Sequence, residues 1–477
     1  MSLSSSGSFS QGQGPERNNV LSVSAEDVRL IAATNSLDIK LARLDAKIKG
    51  TELSYKESIF DTFINGEIGY TDDQRKPASS ISGSKNITNT YDFGIDKKLK
   101  SGTDIDINFS NEREWTNSSF VSTNPYHNSE IAITLTQPVA KNFFGLIDRG
   151  SIEIVKREIK NAGLDSYSKI EDAIMLAEKA YWKTVLAREE FSIRKEILKK
   201  SIRFFAQYRN KLRIGLAETG DVLAAEANMH VRESDLLIAS NDLKTAEELL
   251  LLRLNMGNKI TVVPKDRLPA MTTDTTFIES LRIAFENRRD YTSSKNDIEA
   301  QKIKLSMKSN SRFPEIDLKA TFATNGLDAK YYKALEGVAE DSNPKYYMGI
   351  EFKYPLENKQ AESEHEKAVL EKAKAIVNMQ KTERQVISDI DEKFRNLTVN
   401  KVTMAKMRRV ENLQEGKLSQ EEKKFRYGRS NSDTIIRYQE DLLNAKLKTQ
   451  KACYEYTASI LDLMNAEDSF LKQTGLE

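Results

Sequence analysis

The chain carries one cysteine, Cys453, in 477 residues. A single thiol makes no intramolecular disulfide and no cysteine metal site. It reads as a small core residue on a helix. Histidine is nearly as scarce, and His127, His230 and His365 are scattered along the chain. The sequence has no HExxH, no P-loop and no dinucleotide fingerprint. The "SEHEKAV" run at 363–369 reads as a charged helix start and not as a metal site. These absences point away from an enzyme and toward a protein without cofactor or metal. No stretch approaches the ~18 apolar residues of a membrane-spanning helix. The longest run of leucines is Leu249–Leu252. The protein is therefore aqueous, or it crosses a membrane as strands, whose alternating signal is weaker. The net charge is +1, from 72 basic and 71 acidic residues. Such a balance gives no global attraction to nucleic acid, which is not an expected partner. Residues 1–22 are expected to be a disordered N-terminal segment. The Ser/Gly/Gln-rich start has no apolar stretch and is not an intact signal peptide.

What is present is a chain written twice. The segment "KLRIGLAETGDVLAAE" around Gly215 pairs with "KFRYGRSNSDTIIRYQE" around Gly428, 213 residues later. At that offset Tyr181 pairs with Phe394, Val222 with Ile435 and Leu250 with Leu463, without a gap over about seventy residues. Upstream, "TQPVAKNFFG" at Pro138 pairs with "KYPLENKQAE" at Pro355, and "AATNSLDI" at Asn35 with "AFENRRDY" at Asn287. The first half spans residues 23–257 and the second 277–471. Residues 258–276 join them as a linker in which Pro264 and Pro269 break any helix.

The helical signal is long. Apolar residues at Ile170, Ala173, Ile174, Ala177, Tyr181 and Val185 recur every three or four positions, as do Ile387, Ile390, Phe394, Leu397 and Met404. Sustained 3–4 spacing between charged positions predicts coiled-coil packing over residues 149–212 and 357–426. At 1.5 Å per residue each such helix is a rod of roughly 90–100 Å. Shorter helices are predicted over 25–58 and 220–256.

Four segments alternate with period two instead. They run from Ile64 to Tyr70, Ile131 to Leu135, Ile316 to Phe322 and Tyr346 to Tyr354. Each is near the ~9–11 residues that cross a bilayer as a strand with one apolar face. The first half carries about 35 additional residues in this region. There Tyr91, Phe93 and Ile95 alternate, a Lys-Ser-Gly-Thr turn follows at 100–103, and Ile105, Ile107 and Phe109 alternate again. This predicts a hairpin over about 88–115, expected at an extracellular or barrel rim.

Four strands do not close a barrel, and an open edge in lipid strands backbone groups at several kcal/mol each. Closure must then use other copies, and three chains would supply twelve strands, an even number. The duplicated glycine turns, the proline at each strand-to-helix junction and "AEKAYWKTVLA" at 177–187 together resemble the TolC family of outer-membrane efflux proteins. The resemblance covers about residues 25–470. It implies a mainly α chain with membrane β: duplicated helix–strand–strand–helix units whose long antiparallel helices form an α-helical barrel continuous with a trimeric twelve-stranded β-barrel. It also implies a homotrimer in the outer membrane of a Gram-negative bacterium, touching outer-membrane lipid, with its tunnel in the periplasm. Its partners would be a periplasmic adaptor (membrane fusion) protein and an inner-membrane transporter, in tripartite efflux or type I secretion. The competing readings are a coiled-coil scaffold and the adaptor itself.

The two glycine turns would form the periplasmic tips. Gly215 and Gly428 suit a helix reversal that needs positive φ, or a simple helix C-cap. The resemblance further implies adaptor docking at Leu212, Arg213, Gly215, Leu216 and Thr219, and at Arg426, Gly428, Arg429 and Ser430. Ser432 or Asp433 is expected to cap the helix that follows. The family closes its tunnel near these tips with acidic residues. The first repeat keeps one, Asp221, six positions after its glycine. In the second repeat Thr434 and Arg437 stand at the matching positions, with Asp433 beside them. Arg437 would give a cationic ring if it lines the constriction, or is an ordinary solvated helix charge.

Overall fold

A computed structural model describes residues 19–78, 81, 83–257, 260–269, 271–340, 343–427 and 429–475. Gly428 and residues 1–18 lie outside that set. In chain order the elements are β1 (Asn19–Val23), α1 (Ala25–Asn35), α2 (Leu37–Glu57), β2 (Thr62–Asp73), β3 (Asn86–Lys98), β4 (Asp104–Thr116), β5 (Tyr126–Pro138), α3 (Leu146–Arg213) and α4 (Thr219–Arg253). Then come β6 (Ile260–Pro264), α5 (Phe277–Asn287), α6 (Arg289–Asn310), β7 (Glu315–Asp328), α7 (Tyr331–Ala339), β8 (Pro344–Lys353), α8 (Lys359–Arg426), α9 (Ser432–Ala466) and α10 (Phe470–Thr474). Helices α3 and α8 each have 68 residues, and α4 and α9 each have 35. Each helix of the second pair starts 213 positions after its counterpart, at Lys359 against Leu146 and at Ser432 against Thr219.

The chain divides into two compact units, and each draws on both halves of the sequence. The first comprises the described parts of Met1–Leu44, Asp165–Arg289 and Glu383–Glu477. Its core is also doubled. Ala32, Ile174, Tyr181, Trp182 and Leu250 are buried in one cluster, and Ala284, Ile390, Tyr456, Ile460 and Leu463 in another. Ala32 and Ala284 are repeat partners, as are Leu250 and Leu463, so one apolar pattern builds both clusters. Each fully buried large side chain contributes about 1.5–3 kcal/mol. Two carboxylates are buried without exposure, Glu171 and Glu178. Glu178 accepts from Arg29 Nη1 with both oxygens at 3.1 Å, and from Trp182 Nε1 at 3.2 Å. Glu171 accepts from Arg289 Nη1 at 2.6 Å and from the Phe470 N–H at 3.0 Å. Burial pushes both carboxyls up, and the two arginines oppose that rise.

Two sequence expectations change within this unit. The helix expected over 25–58 is two helices, because Ser36 leaves helical geometry at ψ 132°. Arg288, its repeat partner, breaks α5 from α6 in the same way at ψ 121°. Neither break carries proline or glycine, so no local residue announced it. The segment expected to be disordered also shrinks. Asn19–Val23 forms a parallel pair with Ile260–Pro264, inside the expected linker. Val23 and Val262 are buried in the Tyr181–Trp182 cluster. That tertiary burial orders a segment whose own composition would not.

The second unit comprises Asp45–Leu164 and Asp290–Thr382 and holds the sheet. Six strands pair antiparallel in the order β2-β3-β4-β5-β7-β8. This corrects the expected rim hairpin, whose two strands join the other four in one sheet. The hairpin strands β3 and β4 are 13 residues each and lie between β2 and β5 as full members of the sheet. Alternation marks a strand and not its neighbours, which here are β2 and β5. The register aligns Ile64, Ile95, Ile107, Ile133, Phe322 and Tyr346 in one row across all six strands. One face is therefore apolar from edge to edge. Much of it is exposed, with Ile68 at 84% and Met348 at 88%. The other face is polar, with rows such as Glu67, Asp92, Ser110 and Glu130. At the β3–β4 turn Gly102 (φ +79°) meets Gly145 (φ +68°). A Cβ on Gly102 would lie 2.8 Å from the Gly145 nitrogen, so only glycine fits this contact between the turn and the start of α3.

Candidate functional site

The first unit brings the two helix reversals together. Helix α3 ends at Arg213, and the chain turns through Ile214, Gly215 and Leu216 into α4. Gly215 has φ +73° and open space around it, which satisfies the reversal by conformation and not by packing. Its N–H donates to Leu212 O at 3.0 Å, and the Leu216 N–H to Lys211 O at 2.8 Å, closing the C-terminus of α3. Helix α4 starts with a reciprocal cap between Glu218 and Asp221. In the second reversal the Arg429 N–H donates to Lys424 O at 3.0 Å. Asn431 caps α9, its Oδ1 accepting from the Thr434 N–H at 2.9 Å. The expected cap at Ser432 or Asp433 is thus one or two positions too late. Both lie inside the helix, and the side chain at the capping position is the asparagine.

Asp221 links the two reversals. Its carboxylate accepts from Ser432 Oγ at 2.6 Å, and its other oxygen from the Glu218 N–H at 3.3 Å. Ser432 is buried. Beneath them Phe204, Tyr208, Ala225 and Ile435 form a small buried cluster. Phe425 joins its edge, 5.9 Å from both Phe204 and Tyr208, with Lys211 Nζ 4.4 Å above the Phe425 ring. Burial pushes the Tyr208 phenol up, its hydrogen bond with Ser432 opposes that, and the charges of Asp221 and Asp433 add to the rise. Thr434 is half-buried, whereas Asp433 and Arg437 are exposed. Arg437 stands 5.8 Å from the Tyr438 ring centroid. Glu440, one turn further along α9, pairs with Arg232 at 3.8 Å.

The expected docking residues are on the surface. Leu212, Arg213, Leu216, Thr219, Arg426 and Arg429 are exposed, and Ser430 is half-buried. Leu216 is 72% exposed. Two residues that sequence reasoning passed over share this surface, Ile214 and Tyr427, the latter 81% exposed. Their signal was available, because each flanks a tip glycine and is apolar at a solvent-facing turn. The tips therefore offer aliphatic and aromatic side chains ringed by arginine. Among the described residues no group of three His, Cys, Asp or Glu side chains could hold a metal ion. No helix there is long and apolar enough to cross a membrane.

No known protein family matches the chain, and no curated protein does. Solved structures do. The outer-membrane channel CmeC of Campylobacter jejuni superposes with a TM-score of 0.66 at 15% identity, over 93% of this chain and 85% of that one. The outer-membrane protein VceC of Vibrio cholerae gives 0.68 at 13% identity, over 93% and 96%. The open state of the MtrE outer-membrane channel of Neisseria gonorrhoeae gives 0.66 at 13% identity, over 94% and 89%. The chain thus has the fold of these channels along nearly its whole length, as the resemblance to the TolC family implied.

Proposed function

We propose that this protein is an outer-membrane channel: a homotrimer that acts as the passive exit duct of a tripartite efflux or type I secretion system. The observation that carries the reading is the sheet. Its apolar face runs across six strands, half-buried on β4 and exposed on the other five, and both edges, β2 and β8, are open in the single chain. A scaffold or a soluble adaptor has no use for such a face. A bilayer needs one, since strands of 10 to 14 residues are long enough to cross it when tilted. The edges then demand partners. A ten-residue edge turns about ten backbone groups outward, and leaving them bare in hydrocarbon costs several kcal/mol each. Strands β2 and β8 run in opposite directions, so β8 of one copy continues the antiparallel ladder into β2 of the next, and the ring closes on itself.

The helices carry charge throughout and belong in water, which for an outer-membrane protein of a Gram-negative cell is the periplasm. The tips then receive a periplasmic adaptor, with the inner-membrane transporter beyond it. Leu212, Ile214, Leu216 and Tyr427 supply apolar anchors, and Arg213, Arg426 and Arg429 the surrounding charge. Asp221, held by Ser432, is the latch between hairpins that opening must release. Arg437 faces the entrance as a three-fold cationic ring, so that the entrance itself does not favour cations. The test is reconstitution of the purified, detergent-extracted protein in a planar bilayer. Discrete ion-conducting steps support the reading, and a tight membrane at every protein concentration overturns it.

A further inference from the structure

The β3–β4 hairpin sits inside the membrane sheet, and this bears on what the channel can pass. We infer that the hairpin is a pore-widening element: three copies of the six-stranded sheet close an eighteen-stranded barrel whose polar lining suits bulky, positively charged solutes. The inference rests on the trimeric channel proposed above. It follows from pairing and register. Strands β3 and β4 bond along their full length to β2 and β5, from Thr62↔Lys97 to Asp73↔Asn86 on one side and from Asp104↔Thr136 to Glu114↔Tyr126 on the other. A rim hairpin would leave β2 and β5 paired with each other. Here they are two strands apart.

Width follows from strand number. With strands about 4.8 Å apart and tilted about 40°, twelve strands give a backbone diameter of roughly 24 Å and eighteen give roughly 36 Å. The cross-section about doubles. Barrels of 16–18 strands keep an aqueous channel, whereas those of about eight are filled by side chains.

Charge follows from alternation. The apolar face of the hairpin continues the lipid-facing band through Tyr91, Phe93, Ile95, Ile107 and Phe109. The opposite face, turned to the lumen, carries Asp92, Asp96, Asp104, Asp106, Glu112 and Glu114, and its one cation is Lys98. Lys98 stands 3.4 Å from Asp148 and 4.0 Å from Asp104. On the other four strands the lumen face mixes signs, with Lys319, Lys345 and Lys353 among its carboxylates. The hairpin thus brings both the added width and most of the excess negative charge.

The same register says that the hairpin is separable. Ile64 and Ile133 lie in one row, with Ile95 and Ile107 between them. Deleting Asn86–Thr116 therefore lets β2 meet β5 with apolar faces aligned and antiparallel order kept. Two measurements test the inference. Electron cryomicroscopy of the full-length trimer counts strands directly, and eighteen are expected. Next, Ala132→Cys on the lumen face of β5, in a Cys453→Ser background, is labelled in lipid vesicles with polyethylene-glycol maleimides of graded size. The full-length protein should accept reagents excluded from the deletion variant. A small cationic thiol reagent should also react several-fold faster than an anionic one of equal size, and the deletion should shrink that ratio. A trimer with twelve wall strands, or equal size cut-offs in two trimeric proteins, overturns the inference and leaves the channel standing. If the full-length protein forms no trimer, the channel reading itself fails.

Discussion

Replacing Ser432 by alanine should loosen the periplasmic tips. The hydroxyl donates to the Asp221 carboxylate at 2.6 Å and joins the α9 start to the α4 start. Hydrogen bonds to charged groups contribute about 1.5–3 kcal/mol. Asp221 is half-buried, which places this one near the lower end. A loss of about 1.4 kcal/mol is a factor of ten in an equilibrium constant. If opening separates the two hairpins, each subunit's tip should populate its open arrangement about tenfold more. Single-channel recording reads this as open probability from dwell times. Ser432→Thr keeps the hydroxyl and should stay near wild type. Asp221→Ala loses the link and also the cap on the Glu218 N–H, at about 1 kcal/mol more. That second loss weakens α4 in both states, so it should lower thermal stability without further opening. An intact Ser432→Ala trimer whose open probability stays within twofold of wild type would refute the latch.

Three other outcomes are expected. Arg29→Met leaves Glu178 buried without its cation, at about 3–5 kcal/mol, and should lower the melting transition read by Trp182 fluorescence. Because burial raises the Glu178 pKa, the stability tied to its protonated form is fully present below the ordinary carboxylate value and is lost as pH rises through the raised one. The Arg29→Met defect should therefore be small near pH 4 and full at pH 8, and a pH-independent defect would contradict the assignment. Leu216→Asp and Tyr427→Asp should each weaken binding of the purified periplasmic adaptor by tenfold or more in surface plasmon resonance, with the trimer intact; unchanged affinity would remove the tips from the docking surface. Arg437→Glu should shift the zero-current potential in a salt gradient toward cation selectivity relative to wild type, whereas a potential left unchanged by both Arg437→Glu and Arg437→Ala would deny Arg437 a place in the constriction.

Much of this architecture was legible because its signals are periodic. The 213-residue offset was visible in residue pairs such as Leu250 and Leu463, and α3/α8 and α4/α9 keep that offset from first residue to last. The apolar alternation of Ile64–Tyr70 and Tyr346–Tyr354 placed the outer strands. What failed to show were features that depend on distant partners. The helices break at Ser36 and Arg288, and neither residue type forces a break. Residues 19–23 became a strand only because Val262 and the Tyr181–Trp182 cluster receive Val23. The hairpin was recognised as a hairpin, but alternation says nothing of which strand lies alongside, so its place inside the sheet was invisible. At the tips, the positive φ expected at Gly215 is present. Sequence reasoning passed over Asn431 as the cap, although asparagine three residues before Thr434 is a capping signal. It also could not pair Asp221 with Ser432, 211 residues away.

The central claim is that this chain is one third of a membrane channel, and the most direct test is its behaviour on extraction. Outer-membrane fractions of expressing cells should release it only with detergent. It should run on a denaturing gel as a trimer before heating and as a monomer of 54.1 kDa after. A monomer that is soluble without detergent, with or without heating, would contradict the account.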